Sequence, residues 1–192
     1  DYCRPYDSII VTIFADPTPT INDPADACVD GPDMNFTGSP LPGGGTTGSF
    51  STDAPGGLTD NGDGTAVLDV SVAGVGTYDV IYSYTTTTGC FGSATSSVTI
   101  NPLPVAGLND PADECVDNGP MFFTGSPLPA GPTTGSFSTT AGAGLNDNGD
   151  GTATLDVFAA GPGTFDVTYL YTDANGCQDT ETVSVLIYDR LP

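Results

Sequence analysis

The chain has 192 residues, with 24 acidic residues against two basic ones and a formal net charge of −22. That balance excludes nucleic acid as a partner, because phosphate binding needs cations that displace counterions. With no His and no Lys, neither a His-based nucleophilic site nor a Schiff base can form, and no run of 18 apolar residues offers a membrane-spanning helix.

The first predicted element lies in residues 1–15. Ile9, Val11 and Ile13 recur at every second position, the period of a strand. Val11-Thr12-Ile13 matches Val98-Thr99-Ile100, and Cys3 matches Cys90, both at an offset of 87 residues. Residues 1–15 therefore read as the last strand of a preceding repeat. An unpaired strand needs a partner for its backbone, so Ile9, Val11 and Ile13 are expected to pack on the following domain or to be donated to a sheet of another chain. No leader precedes Asp1, as expected of a mature form or a fragment.

A Pro-punctuated connector, Asp16-Pro17-Thr18-Pro19-Thr20-Ile21, opens the first full repeat, 16–102. Proline fixes φ and removes a donor, so the link is stiff. Short strands are predicted at Asn35–Gly38 and Gly48–Ser51 around the turn Ser39-Pro40-Leu41-Pro42-Gly43-Gly44-Gly45. The pairs Asn61-Gly62 and Asp63-Gly64 mark another turn, followed by a strand from Thr65 to Val72. Tyr78, Val80, Tyr82 and Tyr84 then alternate, which predicts a strand with an aromatic face toward the core. A final strand is expected from Ala94 to Ile100. No stretch repeats apolar residues at i, i+3 and i+4 over three turns, so no helix is expected.

The second repeat, 103–192, restates the first without a gap, with about two-thirds of aligned positions identical. Gly163-Thr164-Phe165-Asp166-Val167-Thr168-Tyr169-Leu170-Tyr171 copies the tyrosine strand. Many short strands between Gly- and Pro-rich turns predict an all-β fold, two tandem Ig-like antiparallel sandwiches preceded by one orphan strand.

Five cysteines follow the same period: Cys3, Cys28, Cys90, Cys115 and Cys177. Pairing within repeats joins Cys28 to Cys90 and Cys115 to Cys177, and leaves Cys3 unpaired or intermolecular. Pairing across junctions joins Cys3 to Cys28 and Cys90 to Cys115, and orphans Cys177. The first scheme is the expected one, since a mate for Cys3 would lie in an upstream repeat. Each such bond would stabilise a small domain by roughly 4 kcal/mol in a chain-entropy treatment. Disulfides would place the protein outside the cell.

The acidic segments suggest two cation sites. Asp60-Asn61-Gly62-Asp63-Gly64 fails the register of a helix–loop–helix calcium site, because the position of the bidentate Glu is Val70. It reads as a turn. At the junctions, Asp23, Asp26 and Asp30, and again Asp110, Asp113 and Asp117, gather hard oxygen ligands beside a connector. The expected cofactor is none, with calcium at these junction carboxylates as the alternative. Asn35-Phe36-Thr37 fits a glycosylation acceptor, but its copy Phe122-Phe123-Thr124 does not.

A Cys, a strand carrying "FTGSP", a Gly-rich turn, "GSF", and then "GVGTYDVIYSYTTTTGC" or "GPGTFDVTYLYTDANGC" resemble the Ig-like/PKD-like repeats of very large bacterial surface proteins. Those include gliding-motility adhesins of the Bacteroidota type. The resemblance implies tandem sandwiches, secretion and surface attachment, and it carries no catalytic residues. The function expected is that of a non-catalytic structural repeat of an extracellular adhesin or filament. Its partners would be neighbouring repeats of the same protein or identical subunits. The alternative is a fibre subunit joined by exchange of the N-terminal strand. A carbohydrate-binding module or carboxylate glycosidase is the least favoured reading, since no pair of carboxylates stands out from its copy.

Overall fold

A computed structural model describes residues 8–190. Their contacts divide the chain into two compact units. One holds the residues up to Ala27 together with Gly31–Ile100, and the other holds Cys28–Asp30 together with the residues from Asn101. The division falls two residues before the cut expected after 102. Residues 28–30 depart from the expected domain and group with the second unit.

In the first repeat the strands are β1 (Thr20–Ile21), β2 (Ala27–Cys28), β3 (Met34–Ser39), β4 (Thr47–Thr52), β5 (Leu58–Asp60) and β6 (Thr65–Leu68). A single helical turn, α1 (Val70–Ala73), leads into β7 (Gly76–Thr85) and β8 (Phe91–Asn101). One sheet has the order β1-β3-β6-β5 and the other β2-β8-β7-β4. The second repeat has β9 (Gly107–Leu108), β10 (Glu114–Cys115), β11 (Met121–Ser126), β12 (Thr134–Thr139), β13 (Leu145–Asp147) and β14 (Thr152–Leu155). It closes with α2 (Val157–Ala160), β15 (Gly163–Thr172) and β16 (Gln178–Tyr188). Its sheets are β13-β14-β11-β9 and β10-β16-β15-β12. This is the Ig-like all-β sandwich that the turn spacing predicts.

The alternation in the tyrosine strand has the expected cause. Val80, Tyr82 and Tyr84 are buried, while Thr77 and Asp79 on the other face are exposed. Val98 and Ile100 on the adjacent β8, with Phe36 and Leu68 from the facing sheet, complete the first core, each at most 1% exposed. Phe123, Leu155, Tyr169, Val185 and Ile187 form the corresponding core of the second unit.

Two expectations are corrected. The strand predicted through Val72 ends at Leu68, and Val70–Ala73 make a helical turn. Asp69 takes the N-cap position and accepts from the amides of Ser71 and Val72, while Gly74 closes the turn at φ 78. Leu68 and Val70 point inward and Val72 outward, which mimics a strand's period without being one. Asp156 and Gly161 bracket α2 in the same way.

The second correction concerns residues 1–15. Among the described ones, residues 8–15 join no strand of this chain. Ile9 and Ile13 are 86% and 90% exposed, whereas their counterparts in β8, Ser96 and Ile100, are buried. The segment therefore does not pack on the following domain. Asp1–Asp7, with Cys3, fall outside the described residues.

Candidate functional site

Each unit is organised around one tyrosine. Tyr82 rises from β7, crosses the sandwich, and donates its hydroxyl to the Pro40 carbonyl at 2.6 Å. Its ring leaves no room for side chains on two neighbouring strands. A Cβ on Gly38 would stand 2.4 Å from the ring, and one on Gly48 would stand 2.3 Å from the hydroxyl. The motifs "FTGSP" and "TGSF" are thus the walls of a tyrosine slot. Phe50 packs on the ring at a centroid distance of 4.8 Å, within the favoured range for aromatic pairs. Tyr169 repeats the arrangement with Pro127 at 2.7 Å, Phe137, Gly125 and Gly135.

Burial pushes the pKa of the Tyr82 hydroxyl above its ordinary value, reinforced by Tyr84 and Asp60. Burial raises that of Tyr169 too, with Tyr171 and Asp147 adding to it. The displaced carboxyls are all turn or cap residues. The Thr65 hydroxyl and amide hold Asp63 below the usual carboxylate value, as Thr152 does for Asp150. The Ser71 hydroxyl and the Val72 amide do the same for Asp69. None of these groups is paired with a second displaced group as an acid–base couple requires.

The acidic turn is built as a turn. Asp60 accepts from the Gly62 amide at 2.9 Å through one oxygen and from the Phe50 amide at 2.9 Å through the other. Asp63 accepts from the amide and hydroxyl of Thr65. The second repeat forms the same bonds through Asp147 and Asp150.

Four of the six junction carboxylates have protein partners instead of converging on a common centre. Asp26 accepts from the Thr99 amide at 2.8 Å, and Asp113 from the Leu186 amide at 2.9 Å. These aspartates satisfy donors on β8 and β16, the strands covered on their outer side only by the two-residue β2 and β10. That is one way to protect a sheet edge. Asp23 accepts from the Ser96 hydroxyl at 2.7 Å. Its copy Asp110 faces Val183 in the repeat register and is exposed, so this bond is absent from the second unit. Asp117 pairs with Arg190 at 2.6 Å on the surface, and Asp30 is exposed. Among the described residues, no three Asp, Glu or Cys side chains come together to hold a metal ion.

The cysteines overturn the expected pairing. Cys28 is bonded to Cys177, 149 residues away, with Cα atoms 5.6 Å apart. Cys90 and Cys115 are free thiols. The reason is the length of the last strand. In the second unit Cys115 is in register with Tyr188, at the far end of β16, whereas Cys177 immediately precedes its first residue. Eleven residues at about 3.3 Å each separate the two levels by roughly 36 Å, and a disulfide needs Cα atoms within about 7 Å. The first repeat is built alike. The Val29 amide bonds the Asn101 carbonyl at the far end of β8, and Cys90 precedes Phe91 at the near end. Each repeat thus carries its two cysteines at opposite ends of its last strand.

No protein-family model matches the chain, and no curated protein does. Solved structures do match, at low identity. The fibronectin(III)-like modules of Clostridium thermocellum CbhA match at 16% identity over 90% of this chain and 95% of theirs, with a TM-score of 0.45. A Ca2+-stabilized adhesin that helps an Antarctic bacterium reach out and bind ice matches at 16% identity, 92% and 50% coverage, and a TM-score of 0.47. The N-terminal eight Ig domains of Down Syndrome Cell Adhesion Molecule match at 16%, 88% and 27%, with a TM-score of 0.49. The chain spans half or less of the last two. These likenesses concern the fold and not what the chain binds.

Proposed function

We propose that the chain is a structural repeat of an extracellular bacterial surface adhesin or filament, spacing or polymerising rather than catalysing. The observation that carries this is the fate of the polar groups. In both units Asp60 and Asp147 brace turns, Asp69 and Asp156 cap helical turns, and Asp26 and Asp113 hold strand amides, so these acidic side chains build the sandwich itself. The Cys28–Cys177 bond supports an oxidising location, and no helix among the described residues is long and apolar enough to cross a membrane.

A second reading has its own support. Ile9, Val11 and Ile13 are exposed and unpaired here, yet Val98 and Ile100, which match Val11 and Ile13, are buried in β8. A segment with a core strand's pattern and no sheet of its own is suited to donation into another chain. Negative-stain imaging of material from cells that make the protein separates the readings. A regular fibre supports strand donation, and isolated surface-attached molecules support a spacer. Antibody that reaches the protein only after the cells are permeabilised would refute both.

A further inference from the structure

The two free thiols are related to the two bonded cysteines by the repeat. Cys115 stands where Cys28 stands one repeat earlier, and Cys90 stands where Cys177 stands one repeat later, each 87 residues away. The observed bond therefore defines a rule. The cysteine at the far end of one repeat's last strand bonds the cysteine at the near end of the next repeat's last strand. Within this chain the rule is satisfied once, by Cys28 and Cys177. It leaves over a far-end cysteine, Cys115, and a near-end cysteine, Cys90.

We propose that Cys115 of one copy of this chain forms a disulfide with Cys90 of a second copy, repeating between chains the bond that joins Cys28 to Cys177 within one. The relation is head-to-tail, so each copy offers one cysteine to the copy before it and one to the copy after it, and the bond propagates from copy to copy. The proposal goes beyond the structural role above and needs only the repeat and the observed bond.

Burial supports it. Cys177 is 1% exposed, but its counterpart Cys90 is half-buried; Cys28 is half-buried, but its counterpart Cys115 is exposed. Each free cysteine is more open than its bonded equivalent, which leaves its thiol within reach of a second chain. Within one chain, Cys28–Asp30 group with the second unit. Cys115, Val116 and Asp117 repeat the sequence Cys28-Val29-Asp30 and are the matching segment for the next copy.

Chemically, the thiolate of one cysteine attacks a small disulfide oxidant such as oxidised glutathione, releasing one glutathione thiol. The second cysteine's thiolate then displaces the other glutathione from the mixed disulfide. Two protein thiols lose two protons and two electrons, and one oxidant molecule becomes two thiols.

The experiment uses the full chain with Cys3→Ser, so that the cysteine outside the described residues cannot compete. It is incubated in a glutathione redox buffer, resolved without reductant, and digested for mapping of linked peptides. A ladder of dimers, trimers and higher species joined by Cys115–Cys90 peptides is expected. Adding Cys90→Ser or Cys115→Ser should abolish the ladder in each variant alone, and mixing the two variants should restore dimers only. The Cys28–Cys177 peptide in the same digest reports that each variant is folded. Monomers with both thiols free, a Cys90–Cys115 bond within one chain, or like-with-like bonds as abundant as mixed ones would each overturn the proposal.

Discussion

Tyr82 offers the sharpest test of how each unit is held together. Replacing it with Phe removes one oxygen and leaves the Pro40 carbonyl, now 2.6 Å from the hydroxyl, without its protein partner. The lost atom leaves a space smaller than a water requires, bounded by Gly48 close to the hydroxyl. A neutral hydrogen bond contributes about 1 kcal/mol net, and an unsatisfied buried acceptor costs about 1–3 kcal/mol. Pro40 itself is exposed, so solvent recovers part of the loss, and about 1–2 kcal/mol is expected for Tyr82→Phe. For a domain of this size each kcal/mol moves the melting midpoint by about 4–8 °C.

The complementary change is Gly48→Ala, which would put a Cβ 2.3 Å from the hydroxyl. Ring and strand must then separate, at about 1–3 kcal/mol for overpacking. In Tyr82→Phe the offending oxygen is gone, so adding Gly48→Ala there should cost less than in the parent. Urea unfolding followed by circular dichroism, with amide exchange to assign each transition to its unit, gives all four stabilities. The first unit should weaken while the second keeps its midpoint. Additive effects of the two changes, or an unchanged midpoint for Gly48→Ala, would refute the tyrosine slot.

Three further outcomes follow from the same geometry. Below about pH 10 the tyrosine hydroxyls are protonated in the folded and unfolded chain alike. Above it the unfolded chain releases these protons more readily than Tyr82 and Tyr169 do, so stability should fall as pH rises. The Tyr82→Phe, Tyr169→Phe double variant should show a shallower alkaline loss in thermal melts. Asp69→Ala should lower the first unit's midpoint at pH 7 by uncapping Val70–Ala73. The Asp69 carboxyl is held below its ordinary value, so the difference from the parent should shrink as pH falls below about 4. Asp26 and Asp113 already accept strand amides. A chelator should therefore leave the melting midpoint unchanged, whereas Asp26→Ala should lower it. A chelator-induced fall of several degrees would restore calcium at the junctions.

The parts of the fold legible in the sequence were those written as alternation. Tyr78 through Tyr84 showed a strand and its buried face, and the 87-residue period showed two domains. Val70–Ala73 was misread because a capped turn also buries one residue and exposes the next but one. The signal available was Asp69 with Gly74, a cap at each end of four residues. Gly38 and Gly48 are legible as ends of short strands, and only the packing of Tyr82 shows why glycine stands there. The acidic junctions were legible as charge but not as hydrogen bonding, because nothing in Asp26 or Asp113 indicates the amide 73 residues away that each one meets. The cysteine pairing failed for a related reason. Loop lengths rank the entropy of closing a bond, but they do not place Cys28 and Cys90 at opposite ends of an 11-residue strand.

An oxidised bond between Cys28 and Cys177 underlies both the extracellular assignment and the repeat-to-repeat rule. Cells that make the protein can be quenched in acid, unfolded, alkylated without reduction, and digested for disulfide mapping. The account predicts that Cys28 and Cys177 are recovered as one linked peptide pair. Recovering both in alkylated form, or finding Cys28 joined to Cys90, would contradict it.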